Sequence, residues 1–478
     1  MRKLLTSTTK KIAPLAAVLL VFISLFVPSS GNSLHAQFTK LYDFNSGNGE
    51  RPWGSLIHSG ASVYGMTFIG GTKNDGIVFS MDTSGGAYKV LLNFDSTNGM
   101  NPYGNLVLAG KSLYGMTFNG GTGNFGVIFK IDTDGSAYKK LLDFSNANGE
   151  YPFGSLIVSG GALFGMTQQG GANGVGVIFR IDTNGSGYKK ILDFNLPSSG
   201  GYPRGDLMLT GQMLFGMTNM GGANSAGEIF RIDSNGTGFK DIYDFSMSSG
   251  KWPYGSLTLS SNMLYGMTQY GGANNDGVIF KLDTNGSSYT KLLDFNGTNG
   301  MNPYENLTLV GGTLYGMASG GGANSEGLTF KIDTNGSGFK DLIDFNGTNG
   351  SYPNGSLTLI GGALYGMTAG GGVYTWGIIF KLDTNMLPLS APALTGMDEN
   401  CTLYPNPNKG SFNIYSAKPQ VNSILEVYNM QGEKIITQTY SGTVIQVSMG
   451  CDAEGLYLYR IIAQNGTISG NGKFVISR

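Results

Sequence analysis

The chain has 478 residues, room for two or three domains, and a formal net charge of −1 with 13% charged residues, which excludes an electrostatic grip on nucleic acid. Glycine accounts for 78 residues, about 16% against an average near 7%, while aromatics reach 12%. That pairing points to short buried strands joined by tight turns, and excludes a disordered chain, which would lack large apolar side chains.

Arg2, Lys3, Lys10 and Lys11 precede an apolar run from Ile12 to Val27, and Pro28-Ser29-Ser30-Gly31 and Ser33-Leu34-His35-Ala36 follow it. The run falls short of the roughly 20 residues that span a bilayer, and the small residues after it suit cleavage. Residues 1–36 therefore read as a secretory signal cut near Ala36, with a transmembrane anchor as the alternative.

From 37 to 385 one unit of about fifty residues recurs seven times. The glycine of a Leu/Val-aromatic-Gly-Met element falls at Gly65, Gly115, Gly165, Gly216, Gly266, Gly316 and Gly366, spaced 50, 50, 51, 50, 50 and 50. A second marker places Phe44, Phe94, Phe144, Phe194, Phe245, Phe295 and Phe345, so the one extra residue lies within 195–201, a predicted loop. Within a unit, Ser356-Leu357-Thr358-Leu359 alternates in polarity, Gly361-Gly362 turns the chain, and Leu364 to Thr368 returns as a second strand. Gly377 to Asp383 reads as a third strand, and complete copies add a fourth, such as Tyr188 to Phe194. Four short antiparallel strands with no helical period predict the blade of a β-propeller. The mid-strand glycines, each followed by a methionine such as Met217, are expected to put small and soft groups where blades meet.

The first segment after the signal, Phe38 to Phe44, is a fourth strand without the other three, and the last unit stops at Asp383 with three. Together they make one blade. Sealing a ring this way removes exposed sheet edges, so a closed seven-bladed propeller is expected in preference to an open solenoid. The wording LYGMT, GGAN and GVIFKIDTNGSGYKKLLDF resembles the Gloeobacter/Verrucomicrobia tandem repeat family, although family members carry Thr where this chain has Met after the glycine. The resemblance covers residues 38–385 and implies an exported, propeller-like protein.

Little in the propeller is suited to covalent or metal chemistry. Only His58 remains after the signal, at a position that is Leu or Val in the other copies, and the repeats hold no cysteine, which argues against nucleophilic triads and histidine metal sites. Asp182 to Gly187 and Asp333 to Gly338 partly match a calcium loop, but a hairpin turn demands the same Asp, Asn and Gly. No metal or cofactor is expected. Glu228, Glu305 and Glu326 break the repeat as acids, and two of them across a sugar would be needed for glycoside hydrolysis. The loops before each first strand carry Trp53, Tyr103, Tyr151, Phe153, Tyr202, Trp252, Tyr254, Tyr304 and Tyr352 around a proline. These nine are the candidate ligand-binding residues, an aromatic ring suited to neutral glycan, with capping of the core between blades as the alternative.

After a proline-bearing linker, 386–400, residues 401–478 lose the repeat and show six short strands, at 410–415, 424–428, 434–436, 443–447, 455–462 and 472–477, a small Ig-like β-sandwich. Tyr404-Pro405-Asn406-Pro407, Gly410, Phe412, Gly455, Tyr457 and Lys473 resemble the type A sorting domain of the type IX secretion system. That resemblance implies a Bacteroidetes outer-membrane translocon as partner, and a product that is released or attached to surface lipopolysaccharide. Cys401 and Cys451, the two cysteines of the chain, suit one disulfide here, although sequence alone does not set their separation. The combined expectation is an exported, monomeric, non-catalytic propeller that binds or scaffolds at the cell surface, with a glycosidase or lyase using loop-face carboxylates as the alternative.

Overall fold

The computed structural model describes residues 37–383 and, in the C-terminal module, 401–406, 408–428, 434–449, 455–464 and 468–476. The signal, the linker, Pro407 and Cys451 lie outside these residues, as does the side chain of Cys401, and with them the expected cleavage site and disulfide.

Residues 37–383 form seven four-stranded antiparallel sheets. Blade 4 is representative, with strands Met208–Thr210, Met213–Thr218, Glu228–Asp233 and Lys240–Asp244 in that order. β-Branched and aromatic side chains on the second and third strands face apolar surface on both sides, which is why their burial is continuous rather than alternating. The three-residue first strand is only half-buried, because its free edge lines the central channel instead of another strand. The one insertion, within 195–201, is accommodated where Leu196–Ser199 forms a single helical turn with a proline at its start.

Seven apolar clusters lie between successive blades, one per interface. The glycine and methionine of the repeated element divide the work. Met217 packs toward blade 5 with Phe245 and Leu264, as expected. Gly216 instead serves its own blade: a Cβ there would stand 2.5 Å from Cζ of Phe230, its cross-strand partner. Phe230 is fully buried, and its ring lies across the bare glycine toward blade 3.

Blade 7 joins the two ends of the repeat region. Gln37–Asp43 pairs antiparallel with Ile378–Asp383, beside Ala363–Thr368 and Thr358–Ile360. One mixed cluster then unites Tyr365, Met367 and Ile379 of blade 7 with Phe44, Leu56, Val63 and Phe79, so the ring is closed.

In the C-terminal module the expected short strands merge. Ser411–Tyr428 runs for 18 residues and Lys434–Ser448 for 15, with register shifts near Gln420 and Ser423 that turn the corner without ending the pairing. Cys401–Tyr404 pairs with the first half of the longer strand, while Gly455–Ile462 pairs with its second half and with Ile468–Ile476. The folded sheet packs on itself as a sandwich, with the ring centroids of Phe412 and Phe474 4.2 Å apart in the core.

Candidate functional site

The prolines of the inter-blade loops separate the nine aromatic candidates into two sets. Residues just before the proline sit in left-handed backbone, from φ 51 at Asn302 to φ 55 at Tyr151, a conformation uncommon outside glycine. Each donates its N–H to the preceding blade, as Tyr151 does to the Phe125 carbonyl at 2.9 Å and Tyr352 to that of Glu326 at 2.9 Å. Tyr151, Tyr202, Trp252 and Tyr352 are thereby held on the rim.

Residues just after the proline turn to the axis and touch one another. Trp53 meets Tyr103 at 5.4 Å and Tyr304 at 6.1 Å; Tyr103 stacks on Phe153 at 4.3 Å; Tyr254 meets Tyr304 at 5.1 Å. Arg204 occupies the same position in blade 4, its guanidinium 4.2 Å from the Tyr254 ring centre and 5.5 Å from that of Phe153. This inner set plugs the channel, so its first task is packing.

Below the plug runs a circle of hydrogen bonds that joins all seven blades. The amide of Ser55 donates to Asn105 Oδ1, Asn105 to Ser155 Oγ, Ser155 to Asp206 Oδ1 and Asp206 to Ser256 Oγ. Ser256 continues to Asn306 Oδ1, Asn306 to Ser356 Oγ, and Ser356 back to Ser55 Oγ at 2.6 Å. Each link contributes about 0.5–1.5 kcal/mol. Sequence reading missed this girdle, although its signal was present in the Ser, Asn or Asp that follows the Gly or Glu of every first-strand start.

Two acids intrude on the axis. In the six other blades a glycine precedes the girdle residue and lets the neighbouring carbonyl approach; a Cβ on Gly205, for instance, would lie 2.0 Å from the Gly255 carbonyl oxygen. Glu305 takes that place in blade 6, and its Oε2 is buried with no hydrogen-bond partner. Burial first, and the Asp206 carboxyl second, push Glu305 well above the usual carboxylate range. Asp206 is also raised by burial, against the hydrogen bonds it accepts.

Glu326 faces elsewhere. With Trp53, Tyr304, Tyr352, Asn354 and Thr348 it lines a groove of about 790 Å³ spanning blades 6, 7 and 1, a lining that does not include Glu305. Of the two acids weighed for the alternative of glycoside hydrolysis, Glu326 alone lines this groove. Tyr352 is 49% exposed at the groove, whereas Trp252, two inter-blade loops away and outside the groove lining, has Lys251 4.8 Å over its ring and Tyr270 against its edge. Tyr374 is exposed, and Trp376 carries Arg51 over its face at 5.6 Å.

His58 is exposed on the first strand of blade 1, opposite Val63. In the Asp182 turn the oxygens bond within the hairpin: Asn184 Oδ1 accepts from the Ser186 amide at 2.8 Å, and Asp182 pairs with Arg180 at 2.7 Å. The resemblance to a calcium loop is thus met by turn chemistry.

The fourth strands hold a variation that single positions do not disclose. In blades 2, 3 and 5 a lysine pairs with an aspartate three residues on, at 2.9 Å for Lys140 with Asp143, Lys190 with Asp193 and Lys291 with Asp294. Blade 6 has Asp341 in place of the lysine, and burial together with Asp344 raises its carboxyl to about 7. Blade 4 has Asp241 there and adds Glu228, giving three acids, Glu228, Asp241 and Asp244, with oxygens within 4.8 Å of one another. Replacing Asp341 by Lys is expected to restore the pair and stabilise the protein by about 1 kcal/mol at pH 8, a figure reduced for its half-exposed setting. The folded carboxyl titrates above its unfolded value, so the penalty is absent below about pH 4 and complete above about pH 7. Melts of parent and Asp341→Lys at pH 4 and pH 8 should diverge only at the higher pH; equal shifts at both would reject this account.

In the C-terminal module, Asn406 Oδ1 accepts from the Val475 amide at 2.8 Å and Gly410 donates to Asn408 Oδ1 at 2.8 Å. Phe412 and Tyr457 are buried around Phe474, Gly455 opens its strand, and Tyr404 and Lys473 are exposed. Much of the expected sorting pattern is therefore framework.

Comparison with known proteins agrees with this division. The model of the Gloeobacter/Verrucomicrobia repeat matches residues 30–160, 61–270, 138–325 and 214–391, and that of the secretion system C-terminal sorting domain matches 402–477. Among curated proteins none matches the chain. Of solved structures, PorZ, a surface component of the type IX secretion system of Porphyromonas gingivalis, is similar at 14% identity and TM-score 0.45, over 91% of this chain and 61% of its own. The extracellular domain of a hybrid two-component system of B. thetaiotaomicron is similar at 12% and 0.47, over 92% and 58%. A puromycin hydrolase is similar at 10% and 0.50, over 87% and 59%. The chain thus spans about three fifths of the length of these structures, and at such identities the likeness is one of fold.

Proposed function

Because the chain belongs to the Gloeobacter/Verrucomicrobia repeat family and carries a type IX sorting domain, which directs it to the cell surface or the medium, we propose that it is a non-catalytic binding module for neutral glycans. One observation carries the reading. The groove between blades 6, 7 and 1 offers the exposed ring of Tyr352 and the half-buried rings of Trp53 and Tyr304 beside Asn346, Thr348 and Asn354. Aromatic faces cover the apolar faces of a sugar ring, while amides and hydroxyls meet its hydroxyl groups without the desolvation of a full charge. A volume near 790 Å³ accommodates a short oligosaccharide.

For the glycosidase or lyase alternative, Glu326 lines the groove while Glu305 is buried beside Asp206 and is not among the lining residues. Screening the chain on a glycan array, then titrating the best binder, tests the proposal. Tyr352→Ala should weaken binding about tenfold or more, whereas Trp252→Ala, which alters a ring outside the groove, should leave it unchanged. No binding to any neutral glycan, or equal loss in both variants, would reject the groove; release of reducing ends would instead favour the enzyme.

A further inference from the structure

We infer that blade 4 holds a hard divalent cation, of the calcium class, between Glu228, Asp241 and Asp244 at the outer edge of its sheet. Glu228 opens the third strand directly opposite Asp244, the last residue of the fourth, and Asp241 stands three residues before Asp244. Their ligand oxygens lie within 4.8 Å of one another. Two oxygens on one calcium ion, each at 2.3–2.6 Å, are at most about 5 Å apart, so the spacing of the three is on the scale of a single coordination sphere.

A group of acids alone would not justify a site. The second observation is Glu228 itself: it is 2% exposed and its Oε1 is buried with no hydrogen-bond partner. Asp244 Oδ1 is engaged by the Ala223 amide at 2.8 Å and Asp241 Oδ1 by the Tyr243 amide at 3.0 Å, which fixes both carboxylates. An unpaired buried acid is costly unless it is neutralised or coordinated.

The other blades supply the control. At the position of Glu228 they carry Ile77, Val127, Val177, Val278, Leu328 and Ile378, all fully buried and aliphatic. Blades 2, 3 and 5 combine that aliphatic residue with the lysine–aspartate pair, a site of net charge zero. Blade 4 changes both the lysine and the aliphatic residue to acids, moving the same site to −3 when ionised. A divalent cation takes over the role of the missing lysine ammonium, and the oxygens need only water to complete six or more ligands.

Glu228→Val with Asp241→Lys rebuilds the Val, Lys and Asp set that blades 2, 3 and 5 already fold around. After chelation and dialysis, titration of the full chain with calcium by calorimetry should show one more ion bound to the parent than to this variant at neutral pH. Calcium should also raise the melting temperature of the parent and leave the variant's unmoved. If the double variant does not fold, Asp241→Asn decides, with an expected loss of affinity of about tenfold or more. No calcium bound by the parent at millimolar concentration, or equal stoichiometry in parent and variant, would overturn the assignment.

Discussion

A chain lacking residues 37–43 is expected to lose the sharp melt of the parent and to self-associate. The segment is the outer strand of blade 7, in antiparallel register from Gln37 opposite Asp383 to Asp43 opposite Ile378. Phe38 stacks on Phe380 at 5.7 Å, Lys40 pairs with Asp43 at 2.8 Å, and Asp43 Oδ1 accepts from the Val373 amide at 2.7 Å. Removing it exposes the Ile378–Asp383 edge and opens the cluster shared with blade 1. Losing a strand with partly buried aromatic contacts and a full ladder costs on the order of 5 kcal/mol, comparable with the whole stability of many domains. Light scattering and calorimetry on parent and truncation would show it, and a synthetic peptide of the missing residues should partly restore the melt. A monomeric truncation melting within a few degrees of the parent would contradict the sealed ring.

Glu305→Gly is expected to stabilise the protein by about 1–3 kcal/mol at pH 8, because it removes a buried carboxyl oxygen that no donor reaches. Glycine is the residue of six other blades at this point, and the backbone freedom it adds to the unfolded chain reduces the gain by less than about 1 kcal/mol. The pH dependence gives the mechanism. Glu305 titrates above its unfolded value, so below about pH 4 both states bind the proton and the carboxyl costs little. The penalty grows as pH rises toward the folded value, and the advantage of Glu305→Gly should grow with it. Denaturant melts at pH 4.5 and pH 8 measure the difference; a variant less stable than the parent at both would show that Glu305 has a partner and a structural role.

Much of the ring was legible in the sequence because it depends on spacing. Gly216 and Phe230 recur with their unit, and the divided blade 7 could be read from what each end of the repeat region lacks. Properties that depend on side-chain direction were not legible. Tyr352 and Trp53 flank equivalent prolines, yet left-handed backbone before the proline holds one on the rim while the other turns inward to its neighbours. Nor does spacing alone bring Glu228 beside Asp241 and Asp244, since that meeting needs the register of two strands and the bulge between Ile229 and Phe230. In the C-terminal module the strand boundaries shifted because Gln420 and Gly442 turn a corner within continuous pairing, whereas glycine near a bend reads as a stop.

The girdle beneath the aromatic plug runs in one rotational sense, every blade donating to its successor, and its last bond links Ser356 to Ser55 across 301 positions. A necklace fastened in this way has no loose bead from which to unravel. Unlike a linear stack, which frays from its ends, it has to break at an interface before any unit comes free, so its loss of structure should be all-or-none. The clasp also makes closure a late event in folding: Gln37–Asp43 has its ladder partner only once residues 378–383 are in place, so the necklace fastens with its seventh unit.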